Sequence, residues 1–282
     1  MEATLDVDKA IGDHYGRAGL EESILAGLAV LGRDPEHLLP EDLASVDELH
    51  VGGADTVRHL ARDVRLLEGA RILDVGSGLG GPARQFAREF GAQVDGIDVT
   101  PRFVTTATSL TARSGLSHAV TFTLGSALDM PYGDAEFDAA TMIHVGMNIQ
   151  NKAALFHSVA RVLKPGARFA VFDFMVIGEG IVKYPLPWAD TSDTSFLETP
   201  EDYVTGLETA GFTIDKQESW LNYALNGPGA IDPRERPGTP PPLGLHLVLG
   251  ANVGERMKNI TTAMTERTLA PLEIVSHIRK NS

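Results

Sequence analysis

Between Ile72 and Gly81 the chain reads ILDVGSGLGG, an apolar run interrupted by one carboxylate and followed by four glycines in six residues. Such a run fits few local structures. An apolar strand buried in a sheet must end in a tight turn, and glycines there let a ligand approach the backbone closely. Proline at position 82 fits the first turn of a helix, where no amide is needed. Gly76, Gly78 and Gly81 also follow the G-x-G-x-x-G spacing of nucleotide-binding strand–turn–helix units. The spacing alone does not choose a ligand.

The chain on either side continues the same rhythm. Arg71–Val75, Gln93–Val99, Val120–Leu124, Phe137–Ile143 and Ala167–Val176 read as strands. Pro82–Phe90, Pro101–Ser114 and Asn151–Leu163 read as helices between them, the last closed by Lys164-Pro165-Gly166. A capping-box-like Thr199-Pro200-Glu201-Asp202 begins another helix that Gly211 ends, and Thr213–Trp220 reads as a sixth strand. A helix over Asn252–Arg267 and a strand over Leu272–Arg279 complete the pattern. The alternation predicts an α/β fold: a seven-stranded, doubly wound, mostly parallel sheet of Rossmann-like type, with helices on both faces.

Residues 1–69 precede the first strand and read as an N-terminal helical cap. Ile24, Leu25, Leu28 and Leu31 fall at helical spacing behind Glu21 and Glu22, and a further helix is predicted over Ala54–Leu67. The cap can cover its own site or exchange between subunits of a homo-oligomer. Residues 70–282 form the ligand-binding domain. Its variable segments, 177–198 and 221–250, supply the acceptor pocket, with Ile181–Phe196 and Leu243–Leu247 in its lining, and a lid insertion; 226–244 are too rich in Pro and Gly for regular structure.

Charge and composition exclude several classes of function. The chain of 282 residues carries 24 basic and 38 acidic side chains, a net charge of −14. That surface repels phosphate backbones and anionic lipid heads, so neither nucleic acid nor membrane is an expected partner. The complete absence of cysteine removes disulfides, thiolate zinc sites, iron–sulfur clusters and thiol nucleophiles. No apolar run approaches the roughly 18 residues of a membrane span. Met1 to Ala10 is too acidic for a secretory signal, so the expected location is cytoplasmic. No His/carboxylate metal set is visible; Asp190 and Asp193 stand isolated, read as solvated.

Charge also discriminates between ligands for the glycine turn. Asp74 lies two residues before Gly76, where it would repel the pyrophosphate of a nicotinamide or flavin dinucleotide. S-adenosylmethionine has no phosphate; it carries a sulfonium and an ammonium that a nearby carboxylate attracts. The competing role for Asp74 is to cap the turn. Asp98 ends the second strand, placed to accept both ribose hydroxyls of an adenosine. Val99 is expected against one adenine face, and Ser126 and Ala127, after the third strand, at the adenine edge.

Five stretches then carry a specific resemblance: LDVGSGLGGPAR (Leu73–Arg84), VDGIDVT (Val94–Thr100), GSALDMPY (Gly125–Tyr132), FDAATMIHVGMNI (Phe137–Ile149) and ARVLKPGAR (Ala160–Arg168). In order and spacing they resemble the class I S-adenosylmethionine-dependent methyltransferases of the small-molecule branch, such as tocopherol, ubiquinone-pathway and sarcosine/dimethylglycine methyltransferases. The resemblance implies that Gly76, Ser77 and Gly78 line the methionine moiety, Asp98 the ribose and residues 126–127 the adenine, with S-adenosylhomocysteine as product. Ser126 departs from the family's usual Asp and accepts more weakly, being uncharged. Asp129 could substitute, though it reads better as a turn residue. The YPLPW…SFL region and the 240–250 stretch are similar to bacterial enzymes that tailor specialised metabolites, including C-methyltransferases acting on isoprenoid chains.

For the acceptor, His144 is the candidate base, at the carboxyl end of the fourth strand where open sheets place their sites. The equally open reading is a histidine that shapes the cofactor pocket. His50 and Tyr15 are candidates from the cap; His157 falls within a helix. Asp173 could orient an acceptor or make an internal hydrogen bond. Met147, Asn148, Tyr184, Trp188 and Phe196 are expected to line an apolar acceptor pocket. The expected reaction is methyl transfer to carbon or oxygen of a lipophilic specialised metabolite, possible on an isoprenoid chain with coupled cyclisation. The alternatives are N-methylation of a glycine-derived amine, a cyclase that keeps the cofactor only as structure, and a nicotinamide oxidoreductase.

Overall fold

The computed structural model describes residues 19–48, 50–227, 241–250 and 252–279. Its strands are β1 (Arg71–Val75), β2 (Gln93–Asp98), β3 (Val120–Leu124), β4 (Phe137–Ile143), β5 (Leu163–Val176), β6 (Phe212–Ser219) and β7 (Leu269–Ile278). They form one seven-stranded sheet in the order β3-β2-β1-β4-β5-β7-β6. The pairs from β3 to β5 are parallel, as crossover helices require, and β7 runs antiparallel between β5 and β6. The winding direction reverses between β1 and β4. Their carboxyl ends splay apart there, which is where open α/β sheets bind ligands.

The helices are α1 (Leu20–Val30), α2 (Pro40–Asp47), α3 (Gly53–Asp63), α4 (Gly81–Phe90), α5 (Pro101–Arg113), α6 (Lys152–Val162), α7 (Pro200–Thr209), α8 (Leu221–Asn226), α9 (His246–Leu249) and α10 (Val253–Thr265). Two apolar clusters cover the two sheet faces. Phe156 and Val159 of α6 pack with Tyr203 and Leu207 of α7 on one side; Val57 and Leu60 of α3 pack with Phe86 of α4 on the other. The ends of α6 and α7 are set by local chemistry. The Asn151 side chain accepts the Ala154 N–H at 3.0 Å. Thr199 and Asp202 form the reciprocal capping box that their spacing predicts.

A third cluster joins the cap to the site. Ile24 and Leu28 of α1 and Leu43 of α2 bury against Leu79 of the glycine turn, Phe103 of α5, and Leu243 and Leu249 around α9. A fourth, with Phe174, Leu186, Trp188, Ile260 and Met264, brings the 177–198 segment and α10 together over the end of β5. No helix among the described residues is long and apolar enough to cross a membrane.

Several element boundaries differ from expectation. The strand expected from Ala167 begins at Leu163, because Leu163 pairs with Phe137 and the Lys164-Pro165-Gly166 stretch is absorbed as a register shift within the ladder. Helix α3 stops at Asp63, four residues short of Leu67, where Arg65 takes a positive φ of 55°. The final strand starts at Leu269, three residues before the expected Leu272; its partner Val176 extends β5 to match. Just after the Pro/Gly-rich region, His246–Leu249 form one short helical turn.

Candidate active site

At the end of β1 the chain turns on Gly76 with φ 71°. A Cβ there would collide with the Val145 side chain, so glycine is required by close approach as well as conformation. The Gly76 and Ser77 amides both donate to the Ile97 carbonyl, at 2.8 and 3.1 Å, which ties the turn to the end of β2. Beside it the Asp98 carboxylate accepts the Gly78 N–H at 2.9 Å and the Thr100 N–H at 2.8 Å. Burial still raises its affinity for a proton. Each oxygen keeps a second lone pair for a further donor.

Asp74 is the less satisfied carboxylate. One oxygen accepts the Thr141 hydroxyl at a long 3.5 Å, and the other has no partner. Burial, and then the charge of Asp98, push its carboxyl up to about 7. Ser77 Oγ and Asn148 Oδ1 are likewise buried without partners. Orphaned polar groups of this kind are costly unless a ligand supplies the missing partners.

These groups open onto one cavity of about 380 Å³. Asp74, Gly76, Ser77, Gly78, Asp98, Val99, Ser126 and Ala127 line one end. Ser126 Oγ accepts the Leu128 N–H at 3.3 Å, and Asp129 is an exposed turn residue whose N–H donates to the Ser126 carbonyl. The other end is apolar, walled by Met147, Phe174, Trp188, Leu249, Met257 and Met264. Four carboxylates line the cavity, Asp47, Glu48, Asp74 and Asp98, and among the described residues no lysine or arginine does.

His144 sits where the two ends meet. It follows β4 with φ 54°, an unusual value for a residue with a side chain. Its N–H donates to the Phe172 carbonyl at 2.7 Å, and its ring stacks on Phe174 at 4.7 Å, which in turn stacks on Trp188 at 5.4 Å. The Val51 N–H donates to Nε2 at 3.3 Å, so Nε2 carries the lone pair and Nδ1 the proton. Nδ1 has no hydrogen-bond partner and lies 4.0 Å from Asp173 Oδ1. Burial, reinforced by the nearby His50, lowers the His144 imidazole to about 3, leaving it neutral.

The cap supplies the remaining wall. His50 Nε2–H donates to the Gly53 carbonyl at 3.1 Å, which leaves Nδ1 as its lone-pair nitrogen; burial lowers this ring to about 4. Glu48 accepts the Ala54 N–H at 3.1 Å, and burial, then Asp47, push its carboxyl up to about 7. Asp47 pairs with Arg84 of α4 at 2.5 Å in a buried bridge that fastens the cap to the helix after the glycine turn.

The predicted acceptor residues separate here. Met147, Asn148 and Trp188 reach the cavity; Tyr184 and Phe196 do not line it. Tyr184 packs at the edge of the cluster around Trp188, and Phe196 acts through its backbone, donating to the Met147 carbonyl at 2.8 Å. Tyr15 lies outside the described residues. His157 is exposed and bonds to the Ala153 carbonyl of its own helix. Asp190 is not isolated, because Arg256 pairs with it. Tyr223 and Leu245, from the 221–250 segment expected to line the acceptor pocket, reach the cavity; Glu48 and Met257 line it without having been expected. Glu48, two positions before His50 in the same turn, was the one with a signal to find.

Known proteins bear on this geometry. Residues 73–171 match the methyltransferase domain family. The methyltransferase GfsG of Streptomyces halstedii is 31% identical over 210 residues, covering 73% of each chain. The chain belongs to the class I S-adenosylmethionine-dependent methyltransferases of small molecules. Methyltransferase phqN of Penicillium fellutanum is 38% identical over 120 residues, which are 42% of this chain and only 37% of that one. The chain thus spans little more than a third of that relative's length. The crystal structure of the [4+2]-cyclase SpnF shares the fold, with TM-score 0.66 and 21% identity over 97% of both chains.

S-adenosylmethionine is the cofactor of this methyltransferase, and the cavity fits it. The partnerless Asp74 oxygen and Ser77 hydroxyl face the glycine turn, where a cationic group relieves the buried carboxylate. Bound there, the cofactor supplies a methyl group already activated on a sulfonium. The protein must then align an acceptor, exclude water and manage any proton the acceptor loses.

Proposed function

We propose that this methyltransferase methylates an uncharged, lipophilic specialised metabolite at a hydroxyl oxygen or acidic carbon, with His144 as the base. The lining of the cavity carries the reading. Its acceptor end is apolar, and no lysine or arginine among the described residues lines the cavity to hold a carboxylate or diphosphate, while Glu48, Asp74 and Asp98, which have no basic partner, disfavour an anionic acceptor when ionised. That argues against glycine-derived amines, which carry a carboxylate, and against prenyl diphosphates.

His144 offers a lone pair on Nε2, toward the cap, with Nδ1 4.0 Å from Asp173 Oδ1; burial lowers the free ring to about 3, so it serves as a base only when an ionised Asp173 offsets that cost. The acceptor takes the place of the Val51 amide at Nε2 and passes its proton there. An ionised Asp173 then stabilises the cationic ring, the arrangement that positions many catalytic histidines. At 4.0 Å Nδ1 and Oδ1 are not hydrogen-bonded; contacts of this kind often tighten only once an acceptor binds. The His144, Phe174 and Trp188 stack offers a flat apolar face to the acceptor.

Purified protein with S-adenosylmethionine is assayed for S-adenosylhomocysteine formation against neutral polyketide and terpenoid alcohols, glycine, sarcosine and geranyl diphosphate. Turnover is expected with neutral alcohols alone, falling at least about a hundredfold in His144→Gln, the usual scale for a lost base. Turnover of glycine, sarcosine or the diphosphate alone overturns the reading. SpnF's coverage of 97% of both chains favours a second reading, a cyclase that uses the cofactor only as structure. Equal conversion of a polyene substrate with S-adenosylhomocysteine in place of S-adenosylmethionine would select it.

A further inference from the structure

Behind His144 lies a buried polar chain, Asp173 and Tyr203, neither of which lines the cavity. Asp173 is fully buried on β5, and the Tyr203 hydroxyl of α7 donates to its Oδ2 at 2.9 Å. Its Oδ1 accepts the Phe174 N–H at 3.1 Å and faces His144 Nδ1. Tyr203 is itself fully buried, in a cluster whose other fully buried members are all apolar, among them Phe137, Phe156, Phe169 and Phe212. A phenol hydroxyl in such a place is unfavourable unless it is bonded, and Asp173 is its partner.

The surroundings are built around this contact. Gly146, in the turn after His144, has no space for a Cβ because Asp173 Oδ2 and the Tyr203 hydroxyl already occupy it. Lys152 of α6 holds its ammonium 5.4 Å from the centre of the Tyr203 ring, bonded to the carbonyls of Ile149 at 3.1 Å and Phe196 at 2.6 Å.

Resting on the reading of His144 as base, we propose that Tyr203 is a positioning residue for methyl transfer. Its hydroxyl fixes the Asp173 carboxylate in the orientation and charged state in which Asp173 steadies the protonated His144. Tyr203 does not line the cavity and touches no reacting atom.

The charges around Asp173 agree with that role. Burial pushes its carboxyl up to about 7, and the Tyr203 hydrogen bond is the first of the groups that pull it back, ahead of Lys152 and the Phe174 and Gly146 amides. The other charged or titratable groups facing this chain are His144 with His50 beyond it, Glu198 beside Lys152 and Tyr203, and Asp202 near Lys152. From β7 the cross-strand partner of Asp173 is Leu272, which carries no charge.

The test needs neither acceptor nor cofactor. Carboxyl-carbon-labelled aspartate is incorporated into the full chain, and the Asp173 signal, assigned by its loss in Asp173→Asn, is titrated by NMR from pH 5 to 9. Wild type is expected to titrate near pH 7. Tyr203→Phe, which keeps the ring and removes one oxygen, is expected to move the midpoint up by about one pH unit, a tenfold change in proton affinity. An unmoved or lowered midpoint in a folded Tyr203→Phe overturns the proposal. If that variant does not fold, Lys152→Met with Tyr203 intact provides the alternative: a shift as large as one unit there assigns the control to Lys152 and overturns it, whereas a smaller one supports it. Should His144→Gln keep full turnover while the Tyr203→Phe shift is present, the base reading fails and the control of Asp173 by Tyr203 stands.

Discussion

Two clusters of acidic groups lie on this sheet, and they treat their charge in opposite ways. Near the β6 and β7 end, His59, Asp63 and Glu273 converge closely enough to hold a metal ion. The Lys216 ammonium fills the place, 2.6 Å from Asp63, 2.9 Å from Glu273 and 3.0 Å from His59. At the β1 and β2 end, Asp74 and Asp98 are buried in a cavity that no lysine or arginine lines among the described residues. Buried carboxylates are tolerated only when paired or hydrogen-bonded. The first cluster carries its own cation and is complete without a ligand; the second lacks one, which is what supports the proposal that it binds a cationic ligand.

The comparison breaks most readily at Asp98. Asp98→Ala removes two acceptor oxygens from the ribose end and should weaken S-adenosylmethionine binding by at least about 3 kcal/mol, from two charge-assisted bonds of about 1.5–3 kcal/mol each. Calorimetry checks it, and unchanged affinity removes Asp98 from that role. At the self-contained cluster the effect should fall on stability instead. Lys216→Ala leaves Glu273 buried without its cation and should cost roughly 2–3 kcal/mol in chemical denaturation, less than the ~3–5 kcal/mol of a fully buried pair because Lys216 is partly exposed. Cofactor affinity should be unaffected by that change. A loss of affinity in Lys216→Ala with no loss of stability would reverse the assignment of the two clusters.

The binding end was the more legible in sequence. Glycines with positive φ, a carboxylate two residues upstream and another ending the next strand are local signals, each fixed by backbone geometry near its own position. The alternation of strands and helices could therefore be read from pattern, and Asp74 and Asp98 singled out by their charge at the ends of the first two strands. What escaped is non-local. Asp173 and Tyr203 are 30 residues apart and meet only because α7 packs over β5. Lys216 joins Asp63 across 153 residues. Tyr184 and Phe196 looked like pocket lining by composition, yet aromatic character says nothing about which way a loop turns, and both point elsewhere. Glu48 was missed because a glutamate in a turn is usually solvated; here the Gly52-Gly53 turn folds back on it.

The central claim is that one Asp74 oxygen is kept without a partner so that it can meet a cationic cofactor. Its carboxyl, raised to about 7 by burial and by Asp98, is largely protonated at pH 6 in the free protein and ionised by pH 8. A cation binds the ionised form better, so affinity must rise with pH across that range. Calorimetric titration of S-adenosylmethionine at pH 6 and pH 8 should show wild type binding about five- to tenfold more tightly at the higher pH, the scale of one carboxyl ionising. The isosteric Asp74→Asn should bind about tenfold more weakly than wild type at pH 8 and lose most of that pH dependence. Equal affinity in the two proteins at pH 8, or the same rise with pH in both, would contradict the account.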